Sequence, residues 1–402
     1  LRTPSLGLSL LRAGLEVRGL ATELRYFALD FARRLSPPRY RRITGHRHTP
    51  DLVGEWVFAE ALQGRAPDEA AYVAQVLRGG DPAHAKSGAL VPEDLEGLLA
   101  DLRAARAEVP AFLDACVAEV VARRPRVLGL TSVFEQTAAS LAFAAQVKAR
   151  LPELLVVLGG PNAEGEMGCA LFDHHPALDV VVSGEAEHSF PEAMAAFLAS
   201  GRVPPFPGYL IREGRLGDPA VGSPQADRTL DELPVPDFSD WFAQAEGLDL
   251  GGSPELPFET SRGCWWGQKQ HCTFCGLNGA GMAFRSKAPE RAHRELADLA
   301  QAHPGLPVAV VDNILDMAYF RTLLPRLAES GPSVDLFWEV KANLTRAQLS
   351  LLRRAGVRRL QPGIESLSDE ALGLMRKGVS TLQNLHLLKV CAELGLEPAW
   401  SL

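Results

Sequence analysis

Apolar residues in the first third of the chain recur with the spacing of amphipathic helices. This spacing predicts helices from Leu6 to Val17, from about Leu52, and from Leu95 to Val121. A short strand is predicted from Leu20 to Tyr26, and residues 37–51, rich in Pro, Arg and His, are predicted to form a loop. Because an α/β unit normally begins with a strand and this chain does not begin with Met, we expect a strand to be missing at the N-terminus.

From residue 127 onwards, short apolar runs alternate with helical periodicity. Strands are predicted at Val127–Leu130, Leu154–Leu158 and Val180–Val182, with helices from Thr137 to Leu151 and from about Ser189. Repeated strand–helix units favour a parallel sheet that is covered by helices on both faces. The pattern therefore predicts an N-terminal α/β domain of the doubly wound, Rossmann-like type.

A second strand–helix series begins near Phe258. Its further strands are predicted at Val308–Asp312, Val334–Lys341, Val357–Ile364 and Leu396–Leu402, and its helices follow Pro289, Asp316, Thr345, Ser368 and Ser380. We therefore predict a first domain at residues 1–203, a Pro-rich connection at 204–256, and a second domain at 257–402. Five strand candidates with helices between them are consistent with a (β/α) barrel that the C-terminus interrupts, so we expect truncation at both ends.

Composition narrows the class of protein. With 402 residues, of which 47% are hydrophobic and 22% charged, the chain is long enough for two globular domains. Its 41 Lys and Arg against 49 Asp and Glu give a net charge of −8, so we expect neither nucleic acid nor a membrane as a partner. No apolar run approaches the ~20 residues that span a bilayer, and we therefore expect a cytoplasmic protein.

Three of the six cysteines lie within twelve positions, in a Cys-x7-Cys-x2-Cys pattern formed by Cys264, Cys272 and Cys275. Thiolates are preferred ligands of iron–sulfur clusters and of zinc. Three cysteines on one loop can hold three irons of a [4Fe-4S] cluster and leave the fourth iron open to a substrate. The remaining cysteines lie singly among apolar residues and are predicted to be small buried side chains.

Two other interpretations of the cysteines remain open. A structural zinc site would need a fourth ligand such as His271, but His271 directly precedes Cys272, which makes joint binding of one ion awkward. A redox-active Cys-x2-Cys pair of the thioredoxin type would leave the third cysteine, and the residues Gly276–Gly279, without a role.

The sequence around the cysteines resembles a known signature. An aromatic residue, Phe274, directly precedes the third cysteine, as in radical S-adenosylmethionine (SAM) enzymes. The usual spacing in that superfamily is Cys-x3-Cys-x2-Cys, and this chain departs from it with seven residues in the first gap. The longer spacing, with the segments TSRGCWWG and CTFCGLNG, resembles cobalamin-type radical SAM proteins that mature ribosomally synthesised peptides (RiPPs), including bacteriocins. The resemblance implies a cobalamin-binding domain before a radical SAM barrel.

The resemblance also implies a SAM site at the carboxyl ends of the barrel strands. It places Phe274 beside the adenine, and the methionine carboxylate and ribose would suit the cationic, amide and carboxylate side chains of neighbouring strand ends. The implied SAM residues are Phe274, Asp312, Asn313, Glu339, Lys341, Asn343, Gly363, Glu365 and Ser366. The alternative is that these charged strand ends are merely solvated.

Glycine-containing turns follow the predicted strands of the first domain. By the resemblance, these turns enclose cobalamin, and the implied residues are Thr131, Ser132, Gly159, Gly160, Pro161, Asn162, Gly184 and Glu185. The alternative is tight turns without a ligand, since neither segment is a full G-x-G-x-x-G fingerprint. The Asp-x-His-x-x-Gly loop of many cobalamin proteins is absent, so no cobalt ligand is assigned.

The implied activity is reductive cleavage of SAM to methionine and a 5′-deoxyadenosyl radical, which abstracts hydrogen from an unactivated carbon of a precursor peptide. Cobalamin-dependent methyl transfer is the expected outcome, and radical cyclisation or crosslinking without methyl transfer is an alternative. A non-catalytic, metal-stabilised peptide-binding module is a third possibility. The expected partners are the precursor peptide and a reductant such as flavodoxin or ferredoxin.

Overall fold

A computed structural model of the protein describes residues 1–45, 51–80, 94–212, 229–276 and 282–401. The N-terminal unit comprises Arg18–Gln225 and Ser239–Gly251, and the C-terminal unit comprises Leu1–Val17, Ala226–Phe238 and Gly252–Leu402. This division differs from the predicted one, because the first helix belongs to the C-terminal unit. The N–H of Glu255 donates to the carbonyl of Arg2 at 3.0 Å, which joins the chain start to that unit.

The bounds of the elements agree with most of the predicted series. Helices α1–α16 are, in chain order, Leu6–Val17, Phe27–Leu35, Pro37–Ile43, Val53–Gln63, Glu69–Tyr72, Leu95–Arg123, Thr137–Arg150, Gly165–His174, Ser189–Ser200, Ser239–Ala245, Trp265–Lys269, Pro289–Ala302, Leu323–Ser330, Arg346–Arg354, Asp369–Leu374 and Thr381–Leu394. Strands β1–β11 are Val127–Thr131, Leu155–Gly159, Val180–Val182, Tyr209–Ile211, Leu256–Phe258, Ser261–Arg262, Arg285–Ser286, Val308–Val310, Leu336–Glu339, Val357–Gln361 and Glu397–Pro398.

Two predictions for the first fifty residues are wrong. Residues 20–26 form no strand, and the predicted loop at 37–51 begins with helix α3, which starts at Pro37. Proline is favoured in the first turn of a helix, where its missing N–H has no intrahelical partner to lose. Residues 46–50 of that predicted loop, like Leu277–Gly279 of the cysteine motif, lie outside the described residues.

The N-terminal unit contains a sheet of strand order β1-β2-β3-β4. Strands β1, β2 and β3 are parallel, and the buried residues of β2 and β3 explain why both strands are continuous apolar runs. The predicted α/β class is confirmed, but the described strands follow one another in sequence order. They show none of the order reversal that defines a doubly wound sheet.

Strand β4 lies within the predicted Pro-rich connection and was missed. It pairs antiparallel with β3, and the hydroxyl groups of its Tyr209 and of Ser189 share a buried hydrogen bond of 3.0 Å. Only three residues long and preceded by prolines, β4 gives almost no periodic signal. Its position at the edge of the sheet is the one that tolerates nearby prolines.

The C-terminal unit is built on five parallel strands in the order β11-β10-β9-β8-β5. Helices lie between successive strands, and α14 and α16 each begin with a capping box, Thr345 with Gln348 and Ser380 with Gln383. Strands β6 and β7 pair antiparallel and enclose residues 263–284, the cysteine segment. None of the helices in the described residues is long and apolar enough to cross a membrane.

Candidate functional site

The cysteine segment starts from a buried hydrogen-bond network around Asp312. One carboxylate oxygen accepts from the backbone N–H groups of Thr260 (2.7 Å) and Ser261 (2.8 Å). The other oxygen accepts from the Thr260 hydroxyl and from Trp338 Nε1 at 3.3 Å. Asp312 is 0% exposed, so these four donors replace its hydration. The carboxylate accepts its hydrogen bonds from groups inside the fold. This corrects the expectation that Asp312 contacts SAM.

The other end of the cysteine segment joins the same network. Tyr319 donates its hydroxyl to the carbonyl groups of Thr260 (3.2 Å) and Lys287 (2.7 Å), which lie on the two chain segments of the β6–β7 hairpin. The buried ammonium of Lys287 pairs with Glu295 at 2.6 Å. Both ends of the segment are therefore held by buried polar groups, an arrangement that fixes geometry because each unmade bond would be costly.

The three predicted ligands are free, half-buried cysteines. Cys264 caps the short helix α11, where the N–H of Gly267 donates to its Sγ at 3.3 Å. Hydrogen bonds to ligating sulfurs are one means by which proteins set cluster potentials. The backbone also forms a tight turn between the other two, because the N–H of Cys275 donates to the carbonyl of Cys272 at 3.2 Å.

The Cys272 thiol interacts electrostatically with the other two thiols of the segment and with two lysines. Burial raises the pKa of the Cys272 thiol, and the Cys275 and Cys264 thiols raise it further. The ammonium groups of Lys377 and Lys341 oppose this rise. Within the described part of the chain, no group of three or more His, Cys, Asp or Glu side chains is arranged to hold a single metal ion.

Two lysines lie against the cysteine segment, and only Lys341 was among the predicted site residues. Lys341 is buried, its ammonium lies 3.7 Å from the centre of the Trp266 ring, and burial, with repulsion from Lys377, lowers its pKa to about 8. Lys377 Nζ lies 3.2 Å from the Glu365 carboxylate and 5.4 Å from the centre of the half-exposed Phe274 ring. No periodic or motif signal distinguishes Lys377, which lies in a turn more than 100 residues from the cysteines.

Several other residues predicted to contact SAM lie near Lys377 or follow neighbouring strands. Burial and the nearby Glu365 carboxylate raise the pKa of Glu339, and Lys377 opposes that rise. A Cβ built on Gly363 would lie 3.0 Å from Lys377 Nζ. Asn343 is exposed after β9, and Asn313 is half-buried after β8.

The turn that carries Glu365 and Ser366 is held by Asn384, which was not among the predicted site residues. Its buried side-chain amide donates to the carbonyl groups of Ile364 (3.1 Å) and Ser366 (2.9 Å). Glu365 needs such support because its backbone has a φ of 59°, which a non-glycine residue rarely adopts. A polar Asn among the leucines of α16 was the available signal.

In the N-terminal unit, the predicted cobalamin residues lie at the edge where β1, β2 and β3 end. The Ser132 hydroxyl bonds that of Thr137 at 2.8 Å, and the Asn162 amide donates to the same Thr137 hydroxyl at 3.1 Å. Ser132 is fully buried, so its side chain supports the turns and does not line a surface, which corrects its predicted role. Thr131, Gly159, Pro161, Gly184 and Glu185 remain partly or fully accessible at this edge.

This edge also carries exposed apolar side chains. Val133 and Phe134, directly after β1, are 39% and 68% exposed, and Met167 in the first turn of α8 is 55% exposed. Topology places all three on the side of the sheet where the glycine turns lie, because α8 starts shortly after β2 ends. The glycine turns and these exposed apolar side chains are therefore the candidate contacts for a ligand at this edge.

The two adjacent glycines of this edge differ in what they tolerate. Gly160 has a φ of 101° and a ψ of 172°, and a Cβ there would lie 2.7 Å from the carbonyl oxygen of Ser132. A Cβ on Gly159 would meet no atom closer than 3.9 Å. The space above Gly160 is thus filled by the protein itself, so a side chain at Gly160 would disturb the turn before it could affect any ligand.

We therefore predict that Gly160→Ala lowers the free energy of unfolding of the N-terminal unit by at least about 1–3 kcal/mol, the cost of backbone in a glycine-only region. Gly159→Ala, the matched control, should change it by less than about 1 kcal/mol. Denaturant unfolding followed by circular dichroism measures both. Equal effects of the two variants would contradict the assigned difference.

Residues 258–402 match the Radical SAM superfamily. Hopanoid C-3 methylase of Methylococcus capsulatus is 26% identical over 263 residues, which are 63% of this chain and 48% of that protein. The cobalamin-dependent radical SAM methyltransferase TokK of Streptomyces tokunonensis is 32% identical over 197 residues, 46% of this chain and 28% of that protein.

A solved structure shares the fold. The cobalamin-dependent SAM radical enzyme OxsB, with aqua-cobalamin and SAM bound, aligns with a TM-score of 0.56 and 17% identity over 73% of this chain and 43% of that chain. The chain thus spans less than half of the length of each of these three proteins. The predicted cofactors, a [4Fe-4S] cluster, SAM and cobalamin, are confirmed as those of this domain type and its relatives. Residues 258–402 are a radical SAM domain, in a chain related to cobalamin-dependent radical SAM methyltransferases.

Proposed function

We propose that the chain cleaves SAM reductively and directs the 5′-deoxyadenosyl radical to an unactivated carbon of a ribosomally made precursor peptide, with cobalamin-dependent methyl transfer. The observation that carries this proposal is the cysteine segment. Its three free thiols lie close enough to interact electrostatically, and both of its ends are fixed by a buried hydrogen-bond network. Three thiols on one anchored segment support the proposal, because iron–sulfur clusters are held by cysteine thiolates.

Cys264, Cys272 and Cys275 would hold three irons and leave one iron open to SAM. When bound, the cluster and SAM supply the one-electron cleavage that no protein side chain performs. The protein's own contribution is to position the thiols and to exclude water. The two lysines beside the thiols add positive charge, which stabilises thiolates relative to thiols.

Charged and aromatic groups around the cysteines suit the parts of SAM. The ammonium groups of Lys341 and Lys377 suit a carboxylate, Glu365 suits ribose hydroxyls, and the half-exposed Phe274 ring suits adenine. Glu339, Asn343, Gly363 and Ser366 remain proposed neighbours of this site, and Asn313 is the proposed contact from the end of β8. We further propose that the five parallel strands are part of a (β/α) barrel, whose ligands lie at the carboxyl ends of its strands.

For cobalamin, the proposed surface is the accessible edge of the N-terminal sheet, with its glycine turns and its exposed Val133, Phe134 and Met167. The relatives named cobalamin-dependent support this cofactor. A peptide substrate rests on the resemblance of the cysteine segment to RiPP-maturing enzymes, including those of bacteriocin biosynthesis. The relatives' names state different substrates, a hopanoid in one case, and therefore favour a small-molecule acceptor as the second candidate.

The test is anaerobic reconstitution with iron and sulfide. We expect about four irons per chain, a broad visible absorbance, and a change in the electron paramagnetic resonance spectrum of the reduced protein when SAM is added. Stoichiometric zinc without iron would overturn the cluster. Iron without any response to SAM would favour the non-catalytic peptide-binding module.

The same preparation separates the remaining alternatives. Hydroxocobalamin should bind and shift its absorbance. With a reductant such as flavodoxin or ferredoxin, the product should gain the mass of one CH2 unit, because a methyl group replaces the hydrogen that is abstracted. A mass loss of two hydrogens would indicate cyclisation or crosslinking. Failure of cobalamin to bind would remove the methyl-transfer part of the proposal.

A further inference from the structure

The turn after helix α15 receives a row of hydrogen bonds from the cysteine segment. The carbonyl groups of Leu374 and Met375 accept from the hydroxyl (3.1 Å) and the N–H (3.2 Å) of Thr273, the residue after Cys272. The carbonyl of Arg376 accepts from Trp266 Nε1 at 3.2 Å, and that of Lys377 accepts from the Lys341 ammonium. Four consecutive carbonyl groups are thus occupied by donors from outside their own helix.

Helix ends leave carbonyl groups that need partners, and here the partners come from the site. The preceding carbonyl groups of Ala371, Leu372 and Gly373 accept from N–H groups of residues 375–377 in the same turn. The carbonyl groups of residues 371–373 thus accept from N–H groups of the same turn. Those of residues 374–377 accept from the cysteine segment and from Lys341. We call residues 374–378 the carbonyl turn.

Packing fixes the same contact. A Cβ on Gly378 would lie 2.2 Å from Cη2 and Cζ2 of Trp266, so the indole occupies the space that any other residue at 378 would need. The centre of the same indole ring lies 3.7 Å from the Nζ atom of Lys341. Trp266 is two residues after Cys264, and Thr273 is one residue after Cys272. The carbonyl turn therefore contacts the segment close to each of these two cysteines.

We propose that the carbonyl turn is a positioning element that holds the three cysteines in their array. Its backbone makes the contacts, so its action depends on the conformation of the turn and on Gly378. The identity of the cluster rests on the proposed function, but the positioning itself is a property of the metal-free protein. The positioning can therefore be measured without any cofactor.

The test compares Gly378→Ala with Gly395→Ala. Both glycines have a φ of 63°, in the left-handed region that disfavours alanine, but a Cβ on Gly395 meets no atom within 4 Å. In metal-free protein, we expect Gly378→Ala to raise the alkylation rates of Cys264, Cys272 and Cys275 several-fold, as mapped by peptide mass spectrometry. After reconstitution it should lose most of the bound iron. Gly395→Ala should match the unsubstituted protein in both measurements.

A second variant keeps the test decisive if Gly378→Ala folds poorly. Trp266→Phe removes the indole N–H and the ring atoms that the new Cβ would meet. Alone it should raise thiol reactivity modestly, and in its background Gly378→Ala should add no more than Gly395→Ala does. Equal effects of the two glycine variants, or equal effects of Gly378→Ala in both backgrounds, would overturn the inference. Altered thiol reactivity with no iron bound by any protein would uphold the positioning and refute the proposed cluster.

Discussion

Cys272→Ala is expected to abolish cluster binding and all SAM-dependent chemistry. The cluster needs three cysteine ligands, and this substitution leaves two. No other cysteine lies in the segment to replace the lost thiolate. We expect iron content and visible absorbance after reconstitution to fall to background, and SAM cleavage to become undetectable by chromatography of 5′-deoxyadenosine. Cys264→Ala and Cys275→Ala should behave alike.

The matched control is Cys169→Ala, which removes a half-buried cysteine from α8 of the N-terminal unit and should leave iron content unchanged. His271→Ala separates the cluster from zinc, because His271 is the histidine that could complete a zinc site. Retention of full iron in Cys272→Ala would contradict the assigned ligands. Loss of metal in His271→Ala equal to that in Cys272→Ala would instead favour a mononuclear site.

The strands could be predicted where burial makes them continuous apolar runs. Val180–Val182 matches the predicted bounds, and the strands beginning near residues 127, 308, 336 and 357 were found to within a few residues. Strand β4 was missed because three residues at a sheet edge give no usable pattern. The sheet order could not be predicted either, because it depends on which strands pair and not on the strands themselves.

The cysteines could be predicted because their spacing is local. Lys377 could not, because it lies in a turn without a motif and reaches the site only through folding. For Asn384, the one signal was a polar residue among the leucines of α16. Asp312 shows a different limit: its position at a strand end was predicted correctly, but a carboxylate there can face a ligand or turn back into the fold. Gly160 shows the same limit. Its position in a turn was predicted, but the space next to its Cα is filled by the Ser132 backbone rather than left to a ligand.

Asp312→Ala is expected to have the largest effect on stability. It would leave the N–H groups of Thr260 and Ser261, and Trp338 Nε1, buried without an acceptor, at about 1–3 kcal/mol each. Allowing for relaxation, we expect the C-terminal unit to lose about 3–5 kcal/mol of unfolding free energy. Asp335→Asn, which changes a mostly exposed carboxylate, is the control and should change it by less than about 0.5 kcal/mol.

Comparing Asp312→Asn with the unsubstituted protein at different pH values distinguishes the effect of the Asp312 charge from the effect of its hydrogen bonds. Burial raises the pKa of Asp312 from its ordinary 3.8 to about 6, although the bonds from Thr260 and Ser261 oppose the rise. Because the folded pKa is the higher one, the folded state takes up the proton first as pH falls, so ionisation between pH 4 and 6 costs stability. The difference corresponds to about 3 kcal/mol.

The unsubstituted protein should therefore exceed Asp312→Asn in stability by more at pH 4.5 than at pH 7, as measured by urea unfolding across this range. The amide cannot ionise, but its NH2 group would face the Trp338 N–H, so Asp312→Asn should still be destabilised by about 1–3 kcal/mol at the lower pH. A stability difference that does not change between these pH values would show that Asp312 titrates in the fold as it does in water. Iron binding should fall in Asp312→Ala even where the protein remains folded, because Thr260 and Ser261 begin the segment that leads to Cys264.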